Sequence, residues 1–136
     1  MAIQLSVSAR NARLDAIETT AGTSAKLRIY SGSAPADCAT AASGTLLVDI
    51  ALPSDWMSAA SSGSKAKLGT WQGTAAATGT AGYFRIADNA GTTCHVQGTV
   101  TATGGGGDLT LDNVSIASSQ TVTISTFSLT DANASM

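Results

Sequence analysis

The feature that most constrains the fold of this 136-residue chain is a series of short runs in which apolar and polar residues alternate. Residues 26–30, 46–52 and 83–86 place apolar side chains two positions apart, which is the spacing of one face of a β-strand. Turns rich in glycine, serine, threonine and alanine separate these runs. The pattern predicts a mainly β fold, an antiparallel β-sandwich of about seven strands, of which the jelly roll is one form.

The predicted strands follow one another at short intervals, at residues 26–30, 46–52, 65–74, 83–86, 94–100, 108–112 and 121–129. In the last of these, Val122 and Ile124 share one face whereas Phe127 and Leu129 share the other, which predicts a β-bulge near residues 125–126. The glycines at 104–107 precede a strand and not a helix, so they predict a turn and not a phosphate-binding loop.

One segment has the spacing of a helix. Leu14 and Ile17 lie three residues apart and Val7 lies seven residues before Leu14, which predicts a short amphipathic helix over residues 8–19. A serine at position 6 or 8 can cap its start, and Gly22 can end it.

The predicted organisation is an N-terminal helical segment, residues 1–22, followed by a single β-sandwich domain, residues 23–136. We expect the helical segment to dock on a partner or to bridge subunits. On this prediction, deletion of residues 1–20 abolishes docking and leaves the β domain folded.

Composition excludes several classes of partner. Seven Lys and Arg residues against nine Asp and Glu give a net charge of −2, which is not the basic stripe that nucleic acid requires. No apolar run approaches the roughly 20 residues that cross a bilayer. The N-terminal residues lack the basic region and apolar segment of a secretion signal. We therefore expect no nucleic acid, no membrane, and use without export.

Catalytic residue types are few and poorly placed. Cys94 and the single histidine, His95, are neighbours on a predicted strand, where they point to opposite faces and cannot share a metal or a proton. Asp108 and Asp112 lie about 13 Å apart by strand rise, too far for paired-carboxylate hydrolysis. We expect no enzyme activity, no catalytic residue, no metal and no cofactor, with His95 on the outer face of its strand.

The cysteines and tryptophans complete the sequence predictions. Cys38 and Cys94 can form one disulfide in an oxidising setting, but without an export signal two separate buried thiols are favoured. Trp71 is predicted to lie in the core, and Trp56, in a long loop, is predicted to be an exposed anchor at a protein contact. The candidate interface residues are Arg10, Arg13, Leu14, Ile17, Trp56 and Met57.

Five segments carry a family resemblance: SARNARLDAIETT at 8–20, LRIYSGSAP at 27–35, LPSDWM at 52–57, GTWQG at 69–73 and GTTCHVQGTV at 91–100. The chain, over residues 8–133, resembles a family of small proteins encoded by tailed bacteriophages and prophages. The resemblance implies a virion component, and by analogy with other cement proteins we expect a capsid decoration protein on the outer surface of the shell. The expected partners are the major capsid protein and further copies of the chain, as a dimer or trimer. The expected location is the capsid surface of the virion, after synthesis in the host bacterial cytoplasm.

A decoration protein binds several shell subunits at once, so weak contacts add through multivalency and a symmetric oligomer can match a shell axis. Two alternatives remain open from the sequence. One is a tail or fibre domain that recognises a host surface glycan, with Trp56 and Tyr30 or Tyr83 as the stacking platform. The other is a small hydrolase, which the shortage of acid–base residues disfavours.

Overall fold

The computed structural model describes residues 3–131 and is mainly β, with one helix near the N-terminus. The predicted fold class is confirmed. The helix α1 spans Val7–Ala21. The strands of the described residues are β1 (Lys26–Ser31), β2 (Leu46–Ala51), β3 (Ser64–Ala66), β4 (Trp71–Thr74), β5 (Gly79–Ala87), β6 (Cys94–Ala102), β7 (Leu109–Leu111), β8 (Ser115–Ile116), β9 (Thr121–Ile124) and β10 (Ser128–Thr130).

The strands form a curled, largely antiparallel sheet. Its order is β2-β1-β5-β6-β7, with β8 paired to β5 and only the β6–β7 pair parallel. Strand β4 pairs with β9 and meets β2 through a bridge between Val48 and Ala75, so the sheet continues around the core. Strands β3 and β10 form a separate pair beside the helix.

Alternation along β1 and β5 sets which sheet face is buried. Leu27 pairs with Ile86 and Ile29 with Phe84, and all four side chains lie in the core, as the sequence predicted. The core also holds both tryptophans and Phe127: the ring centroids of Trp56 and Trp71 are 6.1 Å apart, and those of Trp71 and Phe127 are 5.5 Å apart. Trp71 therefore lies where it was predicted.

Two predicted strands are each divided in the structure. Residues 65–74 form β3 and β4, and residues 121–129 form β9 and β10. The change of face between Ile124 and Phe127 does not arise from a bulge. Ile124 belongs to β9, which pairs with β4, whereas Phe127 precedes β10, which pairs with β3. The predicted β-bulge is therefore absent. Each of these two runs pairs with two different strands, which accounts for two of the strands beyond the predicted seven.

The ends of α1 follow the sequence signals. Ser6 is the N-cap, and its hydroxyl oxygen accepts a hydrogen bond from the Ala9 backbone N–H at 3.1 Å. Gly22 ends the helix with a φ of 90°, and its N–H donates to the Glu18 carbonyl at 2.9 Å. Leu14 and Ala21 are the buried residues of the helix.

Cys38 and Cys94 are joined by a disulfide, with Cα atoms 5.2 Å apart, so the prediction of two separate thiols is wrong. The cause is one extra residue in β6: Ile86 pairs with Val96, whereas the next residue, Ala87, pairs with Cys94. His95 is the extra residue, a β-bulge that removes Cys94 from the face of Val96. Cys94 thereby meets the β1–β2 connection, residues 32–45, on the outer face of the sheet.

Candidate docking surface

Three of the six predicted interface residues are buried within the chain. Trp56 packs against Trp71, and its indole N–H donates to the Gly22 carbonyl at 2.9 Å. Met57 and Leu14 are buried as well. The prediction that Trp56 and Met57 form an exposed anchor is wrong. The loop that carries them packs against the C-terminal end of α1, and both side chains belong to the hydrophobic core.

The two helix arginines bind the C-terminal end of the described chain. Arg13 Nε lies 3.2 Å from Asp131 Oδ2, and Arg10 Nη1 donates to the Asp131 carbonyl at 3.2 Å. Both arginines of the predicted interface therefore bind Asp131 of the same chain. Nearby, the Gly63 N–H donates to Asn11 Oδ1 at 2.9 Å, which adds a third contact between α1 and this region.

Ile17 is half-buried at the edge of a shallow hollow between α1 and β6. The hollow has a volume of about 210 Å³ and is lined by Ala16, Ile17, Thr20 and His95. His95 reaches the helix because it is the bulged residue of β6. The structure thus brings Ile17 and His95 together, which strand and helix patterns taken separately do not predict.

The most exposed large apolar side chains of the described residues lie at the start of the chain. Ile3 is 64% exposed and Val7 is 47% exposed, whereas Leu68, on the β3–β4 connection, is 42% exposed. Val7 lies seven residues before the buried Leu14, on the same helix face, but is itself exposed. We call Ile3 and Val7 the apolar N-terminal end, and it is the candidate docking surface.

A buried lysine that the sequence predictions missed fixes the helix that carries this surface. Lys65 on β3 is only 2% exposed, and its ammonium lies 2.7 Å from Asp15 Oδ1 and 3.0 Å from Glu18 Oε1. Its third hydrogen bond goes to the Ser58 carbonyl at 2.9 Å, so all three donors of the ammonium are used. The spacing of Asp15 and Glu18, three apart on a helix, was the available signal.

Electrostatics keep this lysine charged. Burial is the largest single effect and acts to lower the pKa of Lys65, but the hydrogen bonds and charges of Asp15 and Glu18 together outweigh it and raise the pKa. Lys65 is therefore an ammonium that ties α1 to β3. Deletion of residues 1–20 would remove both carboxylates and Leu14, so the structure does not support the expectation that the β domain stays folded without them.

A second acidic contact lies next to this cluster. A hydrogen bond with Glu18 is the main cause that raises the pKa of Asp55, followed by desolvation and by the negative charge of Glu18. Glu18 Oε2 also accepts a hydrogen bond from the Met57 N–H at 3.0 Å. The carboxyl groups of Glu18 and Asp55 therefore lie next to each other near the C-terminal end of α1, so the contact between them depends on pH.

The residues considered above for catalysis and sugar stacking make contacts within the chain that stabilise the fold. Asp108 Oδ2 accepts hydrogen bonds from the N–H and hydroxyl of Thr99, at 2.9 and 3.1 Å. Within residues 3–131, His, Cys, Asp and Glu side chains do not gather in any group of three or more that could hold a metal ion. Tyr30 and Tyr83 are buried and stack on each other at 5.0 Å, so with Trp56 they offer no exposed platform for a glycan.

Comparison of the chain with protein-family models, with curated proteins and with solved structures gives no match. The resemblance to phage proteins therefore stays a prediction from the sequence. Over the described residues, the helix is not of the length and apolarity that crossing a membrane requires.

Proposed function

We propose that this protein is a bacteriophage virion component that decorates the outer surface of the capsid by binding the major capsid protein. The phage resemblance of five segments supports the proposal, and the apolar N-terminal end is the observation that carries it. Ile3 and Val7 expose apolar area that the other residues of the described range, 3–131, leave uncovered. Burying such a side chain contributes roughly 1.5–3 kcal/mol, so each copy would bind weakly through this end alone.

The anchoring of α1 makes that end a usable contact. Lys65, Arg10 and Arg13 hold the helix against the β domain, so little conformational freedom of the helix is lost when its start meets a partner. On a symmetric shell many weak contacts act together, and a dimer or trimer of the chain adds further sites. The proposed partners are therefore the major capsid protein and further copies of this chain.

The direct test is to locate the protein on particles. Heads of the phage that encodes the chain are imaged by electron microscopy, with and without this protein, and the bound protein is counted by mass spectrometry. The proposal predicts density on the outer shell that disappears when the gene is deleted. Location on the tail alone, or absence from mature heads, would overturn it.

The docking surface is tested separately by the double substitution Ile3→Ser and Val7→Ser. Both side chains are exposed, so stability is expected to stay within about 0.5 kcal/mol of wild type. Binding to undecorated shells is expected to weaken at least tenfold. Leu68→Ser is the matched control, since it removes an exposed apolar side chain elsewhere and should bind as wild type. Equal binding by the double variant would show that another surface docks.

A further inference from the structure

The outer face of the sheet carries a covered, positively charged cavity. The β1–β2 connection, residues 32–45, folds over this face and is held by several contacts. The Gln97 side chain donates to the Pro35 carbonyl at 2.8 Å, and the Tyr83 hydroxyl donates to the Ser43 carbonyl at 2.6 Å. The disulfide of Cys38 and Cys94 fastens the same connection to β6.

Beneath this connection lies a cavity of about 240 Å³. Its charged lining is Arg28 and Arg85, which are directly opposite each other on β1 and β5. Like charges opposite each other across two strands repel, and the arrangement is destabilising unless something neutralises it. The cavity is large enough for a small anion or a single acidic group of a larger molecule, and smaller than a site for a drug-sized ligand.

Arg85 is a buried cation whose protein partners are uncharged. It is 7% exposed, and it donates to Gln97 Oε1 at 2.9 Å and to the carbonyls of Asp37 and Thr40 at 3.2 and 2.6 Å. These bonds use Nε and Nη2 of the five-donor guanidinium. Its Nη1 makes no hydrogen bond within residues 3–131. The negative charge of Asp37 acts on Arg85 from nearby, but the Asp37 carboxylate is bound by Thr40 and forms no ion pair with Arg85 among the described residues. The guanidinium therefore keeps a donor for an incoming anion.

Arg28 adds a second group of unused donors. Its Nε lies 3.2 Å from Asp49 Oδ2 and its Nη1 donates to the Gly91 carbonyl at 2.9 Å, whereas its Nη2 has no partner among the described residues. The Asp37 carboxylate is held instead by the N–H and hydroxyl of Thr40, both at 2.9 Å. Among the described residues, Asp49 is therefore the one carboxylate in ion-pair contact with either guanidinium, and it contacts Arg28.

Gly91 keeps Arg28 at the cavity. Its φ of 74° is in the left-handed region, and a Cβ at this position would collide with Nη2 of Arg28. A side chain at residue 91 would thus displace the guanidinium from the cavity.

We propose that this cavity binds an oxyanion, either a carboxylate or a phosphate, between Arg28 and Arg85. Guanidinium groups match the geometry of both anions because two parallel N–H donors can meet two oxygens. Nη1 of Arg85 and Nη2 of Arg28 supply the donors, and the anion supplies a negative charge inside a cavity whose lining residues carry none. This inference concerns the outer face and does not depend on the capsid proposal.

The test uses the isolated full-length protein and NMR of the arginine side-chain N–H signals. Sodium acetate and inorganic phosphate are titrated separately, and sodium chloride at matched ionic strength measures non-specific screening. Saturable shifts of the Arg28 and Arg85 signals with acetate, with phosphate or with both support the site and identify which anion it prefers. Shifts no larger than those with chloride overturn the proposal.

Substitutions assign the binding to the cavity. Arg28→Gln is expected to weaken anion binding at least tenfold. Lys26→Gln is the matched control because it removes one positive charge from the same strand outside the cavity lining. If Arg28→Gln fails to fold, Arg28→Lys keeps the charge, loses the forked donor and is expected to bind severalfold more weakly. Binding by the Arg28 variant within twofold of the Lys26 control would overturn the assignment.

Discussion

Removing the disulfide should strongly destabilise this protein. Cys38 and Cys94 are 56 residues apart in the sequence, so their bond restricts a long loop of the unfolded chain. The loop-entropy relation gives about 4 kcal/mol for a closure of this length at 25 °C. Domains of this kind are stable by only about 5–15 kcal/mol, so the loss is a large share of the total.

The perturbation is the double substitution Cys38→Ala and Cys94→Ala, compared with wild type with and without a reductant. Equilibrium unfolding in urea is followed by tryptophan fluorescence, because Trp56 and Trp71 are both fully buried and report on the core. With a typical m-value of about 2 kcal/mol/M, the midpoint should fall by about 2 M urea.

The folded structure should survive the change. The contacts of Arg85, Gln97 and Tyr83 still hold the covering connection, so the near-ultraviolet circular dichroism should stay native before urea is added. Reductant should lower the stability of wild type and leave the double variant unchanged. A loss below about 1 kcal/mol in both comparisons would refute the argument from chain entropy.

Two further predictions concern the junction between α1 and β3. Lys65→Met should lower the free energy of unfolding by about 3–5 kcal/mol because it leaves two carboxylates facing each other without their cation, whereas Lys26→Met should have little effect in the same thermal and urea experiments. Asp55 has a raised pKa in the folded protein, so its stabilising contribution is full below its unfolded pKa, near 4, and is lost as the pH rises through the folded value. Asp55→Asn should therefore gain stability relative to wild type as the pH rises from about 4 to 7, and the exposed Asp112→Asn is the control for the loss of one carboxylate. A constant difference in stability between Asp55→Asn and wild type would contradict the hydrogen bond between Asp55 and Glu18.

Local signals in the sequence were sufficient for much of the architecture. The inward positions of β1 and β5 follow from strict alternation, and the ends of α1 follow from Ser6 and Gly22. The turn before β6 follows from Gly91, whose φ of 74° suits the glycine predicted there. These features depend on residues a few positions apart, so the sequence carries them directly.

The features that the sequence did not predict depend on distant partners. Trp56 looked exposed because its neighbours form a loop, but its burial depends on Trp71 and on the Gly22 carbonyl. Lys65 begins a predicted strand with no signal that it is buried, and only the packing of α1 brings Asp15 and Glu18 to it. The paired arginines of the outer face likewise become visible only with the register of β1 against β5.

The β-bulge at His95 reverses the side-chain alternation of β6. If β6 were regular here and His95 paired with Ala87, Cys94 would point inward alongside Val96, and its sulfur could not reach Cys38. The β1–β2 connection, residues 32–45, which covers Arg28 and Arg85, would then be held to the sheet by hydrogen bonds alone. The bulged geometry at His95 thus determines whether the β1–β2 connection is covalently attached to β6.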